Sequence, residues 1–238
     1  MGAPPTWSRG TEFDFRHRVA INVLTIGAGV GAAWVERLAR GRPSFWIERP
    51  AMCVLAMATA ALGIAVRAWA TGYLPFGIIG DRELHTPRLV DTGPFGVVRN
   101  PLYLGTWIAL TSFGWLLNLA GLAAIAAAMG LKIHRLIDYE EQRLNTVFGP
   151  AYADYRRRVP RLWPRSWRGA AEALAAKTDW LYGLRGNVFL MGLVAGYAAA
   201  IFRPSIGVVL GCGLLGLVAQ WPMLRRERSN MKTRRDAS

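Results

Sequence analysis

The stretch Leu89–Gly105, LVDTGPFGVVRNPLYLG, passes from turn formers into an apolar helix. Gly93-Pro94 predicts a turn, and Asn100-Pro101 predicts a helix start with proline in the first turn. The apolar block continues to Leu119, dips at Asn118–Gly121, and returns as Leu122–Ile137. A second polar stretch follows at Asp138–Pro160, DYEEQRLNTVFGPAYADYRRRVP. A tight turn between two apolar helices brings their bases together, so the two polar stretches are expected side by side.

Outward from this hairpin, Val19–Val35, Pro50–Ala70, Val188–Phe202 and Ile206–Met223 are further apolar blocks. Hydrophobic residues make up 53% of the 238-residue chain and charged residues 18%. Apolar blocks separated by Arg-rich segments are a membrane pattern. The expected fold is an all-α polytopic membrane protein with about six spans and a cytosolic amphipathic-helix module. Three parts are expected: an N-terminal tail with two spans (1–70), a core (71–168), and a C-terminal hairpin with a basic, disordered tail (169–238). The polar N-terminus before Val19 reads as loosely ordered. No cleavage pattern follows the first block, which reads as a retained anchor.

The net charge of +14 excludes few partners alone, but beside such blocks it points to anionic lipid head groups rather than nucleic acid. Cys53 and Cys212 lie inside apolar blocks without metal-type spacing and read as small hydrophobes; no metal is expected. Basic residues concentrate in 131–186 and in the tail, which puts both termini, the loop 71–100 and the module 138–186 in the cytosol. The loop carrying Arg37, Arg40, Arg42 and Arg49 departs from this rule, and its placement stays open. In the module, Leu144, Val147, Phe148, Ala151, Tyr152, Tyr155 and Val159 give one apolar helical face, bent at Gly149-Pro150. That face is expected to lie on the head groups, with Tyr152 and Tyr155 against the membrane surface.

Polar groups able to hold a ligand gather at the hairpin base. Arg99 and Asn100 suit a carboxylate, and Glu140 or Glu141 an ammonium; Phe95 and Tyr103 offer rings to a base or a cation. Arg135 could position an anionic acceptor, whereas His134, Asp138 or Glu141 could serve as a base.

These two motifs, in this order around a helical hairpin, resemble the integral-membrane methyltransferases related to isoprenylcysteine carboxyl methyltransferase, a group that includes phospholipid N-methyltransferases. The resemblance covers roughly residues 60–165. It implies S-adenosylmethionine bound at the cytosolic face and methyl transfer to a lipid-like or isoprenoid-linked acceptor arriving from the bilayer. It implies cofactor contacts from Pro87, Arg88, Leu89, Val90 and Phe95. Asn100, Pro101, Leu102, Tyr103 and Glu140 complete the implied set. Asn100 stands where the family often has His and is expected to bind rather than carry a proton. The hairpin 188–223 lies beyond the shared core. Alternatives are a small-molecule thiol or acid methyltransferase, a sterol-type reductase using a nicotinamide cofactor, and a non-catalytic scaffold.

Overall fold

A computed structural model describes residues 10–41, 45–74, 89–165 and 170–236, and no strand occurs among them. The elements are α1 (Glu12–Arg16), α2 (Arg18–Arg40), α3 (Pro50–Tyr73), α4 (Pro94–Val97) and α5 (Pro101–Thr111). A 3-10 turn over Ser112–Leu116 closes α5 and leads to α6 (Leu119–Phe148) and α7 (Pro150–Arg158). Then come α8 (Ala170–Ala175), α9 (Trp180–Arg185), α10 (Val188–Phe202) and α11 (Ile206–Asp236).

Helix starts follow local chemistry. Proline opens α3, α5 and α7, where its missing N–H costs no helical bond. Asn118 caps α6, its Oδ1 accepting from the Gly121 amide at 3.0 Å. Gly149, at φ 51°, separates α6 from α7 at the expected bend.

The core forms where small residues let α3 meet α5 and α10. Cys53, Ala56 and Ala60 are fully buried there. A Cβ on Gly105 would lie 2.6 Å from the Gly63 carbonyl oxygen and 2.9 Å from the Arg67 amide nitrogen, so the α3–α5 crossing requires glycine. Phe113, Leu116, Leu117, Ile125 and Met129 fill the α5–α6 hairpin. Ser112 Oγ and Tyr197 OH share a buried hydrogen bond at 2.9 Å, which ties α10 to this layer.

Three expectations change. Among the described residues, two helices, Pro50–Tyr73 and Leu119–Phe148, are long and apolar enough to cross a membrane, so six spans are not shown, although all six apolar blocks are helical. The tail expected to be disordered is helical through Asp236. The N-terminal segment expected to be loose is folded from Thr11 onward.

Thr11 and Asp14 form a reciprocal capping box on α1, and Arg135 Nη2 donates to Asp14 Oδ2 at 2.8 Å. Such a box falls on a sequence too short and polar to announce a helix. Burial opposes ionisation of Asp14, but hydrogen bonds from Arg135 and Thr11 outweigh it and hold the carboxyl below its ordinary 3.8. A depressed folded pKa adds stability above the ordinary value, and that stability is lost as pH falls through it towards the folded one. Asp14→Asn is therefore expected to lower the melting temperature at neutral pH and flatten its decline below about pH 4. Melting curves recorded from neutral to acid pH check this; an unchanged acid limb contradicts it.

Candidate functional site

The bases of α5 and α6 do meet, and the polar groups there first satisfy one another. Arg99 Nε donates to Glu141 Oε1 at 2.9 Å, with side chains 9% and 7% exposed. Asn100 Nδ2 donates to the same oxygen at 3.2 Å and to the Arg161 carbonyl at 3.1 Å. Arg99 Nη1 donates to the Val159 carbonyl at 2.6 Å, and its amide to the Pro160 carbonyl at 2.8 Å. Arg161 adds charge, its Nε lying 3.5 Å from Glu141 Oε2 without forming a hydrogen bond. Glu141 is thus an internal anchor that straps the segment after α7 onto the start of α5. Glu140 points elsewhere and accepts from Tyr103 OH at 2.5 Å.

Beside this anchor lies a cavity of about 390 Å³. One end is apolar and aromatic, formed by Leu89, Phe95, Leu144, Phe148, Tyr152 and Tyr155. Tyr155 OH donates to the Phe95 carbonyl at 2.8 Å. Burial holds the Tyr152 and Tyr155 phenols well above their usual range, so both are neutral walls. Both tyrosines are buried in the protein, not laid on its surface as expected, because the Gly149 bend folds α7 back over α6.

The other end is polar. Arg67 Nε donates to Asn187 Oδ1 at 2.6 Å, Nη1 donates to the Leu102 carbonyl at 3.2 Å, and Nη1 also bonds Thr106 Oγ1. Lys132 is 7% exposed and bonds Asn22 Oδ1. Arg18 stacks over the Phe15 ring, with Cζ 4.5 Å from the centroid. The mouth of the C-terminal hairpin closes this end, with Gln220 Nε2 donating to the Gly186 carbonyl at 2.9 Å.

Of the residues expected at the site, Leu89, Val90 and Phe95 line the cavity, as do Arg99, Asn100, Leu102, Tyr103 and Glu140. Pro101 is buried at the first turn of α5, and Glu141 lies behind the wall on Arg99. Arg135 and His134 do not line it: Arg135 turns to Asp14, and His134 Nδ1 lies 3.1 Å from Arg161 Nη1. Pro87 and Arg88 fall outside the described residues. Sequence reasoning missed Arg18, Asn22, Arg67, Lys132, Asn187 and Gln220. Arg67 reaches from α3 to α5 and to Asn187 at the start of α10. An ionisable residue inside an apolar helix was the available signal for Arg67 and Lys132.

Among the described residues, fold and site define a helical protein with an amphipathic cavity. The chain is 28% identical over 151 residues to the cobalt-zinc-cadmium resistance protein CzcN of Cupriavidus metallidurans, covering 62% of this chain and 66% of that one. It is also 28% identical over 180 residues to the nickel-cobalt-cadmium resistance protein NccN of Alcaligenes xylosoxydans xylosoxydans, covering 74% of this chain and 76% of that one. The chain thus spans less than two thirds of the first relative's length. No family model matches, and no solved structure matches. These findings correct the methyltransferase resemblance: the relatives are metal-resistance proteins, so methyl transfer and its alternatives are withdrawn as the function.

Proposed function

We propose that this chain is an integral membrane protein of divalent heavy-metal resistance, and that it acts through an amphipathic molecule held in its cavity. The observation that carries the first half is the likeness to two proteins named for resistance to cobalt, cadmium, zinc or nickel. The lining supports the second half. Arg18, Arg67 and Lys132 face the polar end, a field that repels a divalent cation. Among the described residues, no group of three or more His, Cys, Asp or Glu could hold a metal ion. The basic lining favours an organic anion over a metal ion as the cavity's occupant, with the metal as the stress this protein helps to withstand.

Membrane insertion is supported beyond α3 and α6 by apolar side chains left outside the core. Val23, Leu24, Val35 and Leu38 are exposed on α2, as are Leu214, Leu215 and Val218 on α11. Contiguous apolar surface of this kind suits lipid. We place the six apolar helices in the bilayer with both chain ends in the cytosol, on the strength of the basic residues in 131–186 and after α11's apolar part.

The test is growth. Expression in a metal-sensitive host is expected to raise the cobalt, zinc, cadmium or nickel concentration that halves growth. A host no better protected than one carrying an empty vector contradicts the proposal.

A further inference from the structure

We propose that the polar end of the cavity is a binding site for the phosphate or carboxylate head of an anionic amphiphile, with Arg18, Arg67 and Lys132 as its cations and the aromatic end taking the chain. The inference rests on the cavity-binding reading above and names the class of molecule bound.

The charge imbalance carries it. Arg18, Arg67 and Lys132 line one cavity with Glu140 as the carboxylate on its wall. The fourth lining cation, Arg99, is neutralised by Glu141 at 2.9 Å. Among the described residues, neither Arg67 nor Lys132 pairs with a carboxylate. Arg67 spends its donors on Asn187, Leu102 and Thr106, and Lys132 on Asn22, all uncharged acceptors. Glu140 is engaged by Tyr103. Three cations share the one carboxylate of Glu140, and holding that excess of positive charge among buried side chains is costly; an anion removes the cost.

The neutral partners suit the same reading. Asn22, Thr106 and Asn187 fix the cations in place without cancelling their charge, which pre-organises them for an incoming anion. An arginine beside a lysine is a usual pair of phosphate and carboxylate donors. A free anion would need only this end. The same cavity is also lined by Leu102, Leu136, Phe95, Phe148 and Tyr152, an apolar surface that an inorganic ion leaves unfilled.

The experiment uses the full chain in phosphatidylcholine nanodiscs, with uptake by empty nanodiscs subtracted, and three probes: dodecyl phosphate, dodecanol and inorganic phosphate. Dodecyl phosphate is expected to bind saturably and at least about tenfold more tightly than either of the others. Lys132→Met is expected to weaken it about tenfold or more, whereas Lys132→Arg stays close to wild type. Arg67→Lys, which keeps the charge if the helix packing is disturbed, is expected to retain binding better than Arg67→Met. Equal binding of dodecanol overturns the head-group site, and inorganic phosphate binding as tightly as dodecyl phosphate overturns the amphiphile. Full binding by a folded Lys132→Met overturns the cation assignment. Growth under metal separates the two readings. Specific binding of dodecyl phosphate without metal protection upholds the site and overturns the proposed function; protection without such binding does the reverse.

Discussion

Glu141→Ala is expected to destabilise the protein by about 3–5 kcal/mol, the cost of removing one partner from a buried ion pair. The loss leaves the Arg99 guanidinium, 9% exposed, without its counter-charge. It also strips Asn100 of one of two acceptors. Glu141→Gln keeps an acceptor oxygen and should cost less. Replacing the pair together, Arg99→Met with Glu141→Leu, should recover much of the loss, because a well-packed apolar pair often substitutes for a buried ionic one. The consequence is also local. Arg99 and Asn100 hold the carbonyls of Val159, Pro160 and Arg161, so Glu141→Ala should speed proteolytic cleavage just after α7. Denaturation in detergent and limited proteolysis check both parts. A loss below about 1 kcal/mol would show that the anchor contributes no more than a surface pair.

Gly105→Leu is the second large effect. Even the first added carbon would fall 2.6 Å from the Gly63 carbonyl and from Arg67 Cγ. Backbone cannot give way as a flexible side chain does, so α3 and α5 must separate, at a cost of at least about 1–3 kcal/mol. The same shift moves Arg67, so cavity binding should fall with stability. Gly27→Ala is the contrast. Its Cβ would meet nothing within 4 Å, and α2 should be unaffected or slightly stabilised, by up to about 1 kcal/mol. Thermal melts of the two variants in one detergent decide the matter. A Gly105→Leu melt equal to wild type would contradict the close crossing.

The helices and the meeting of the two polar stretches were legible in the sequence, because proline at helix starts, Asn118 and Gly149-Pro150 mark ends that tertiary packing did not override. The division of labour between Glu140 and Glu141 was not legible. Adjacent helical residues point about 100° apart, so one faces Tyr103 and the other Arg99, and the letters EE do not say which. Nor did sequence show that α1 and the C-terminal hairpin close the site. Asp14–Arg135 and Arg67–Asn187 are contacts between distant segments without local periodicity. The motifs that suggested methyltransferases are turn-to-helix entries, shaped chiefly by backbone geometry, and they underdetermine chemistry.

Metal protection is expected to run through the occupied cavity. The most direct measurement is the concentration of cobalt, zinc, cadmium or nickel that halves growth. It compares hosts carrying empty vector, the wild-type chain, or Leu110→Trp, which places a bulky indole into the cavity wall. Both proteins must be present at equal levels in the membrane fraction. Protection by the wild type and growth at the vector level with Leu110→Trp are expected. Equal protection by the two proteins would contradict this.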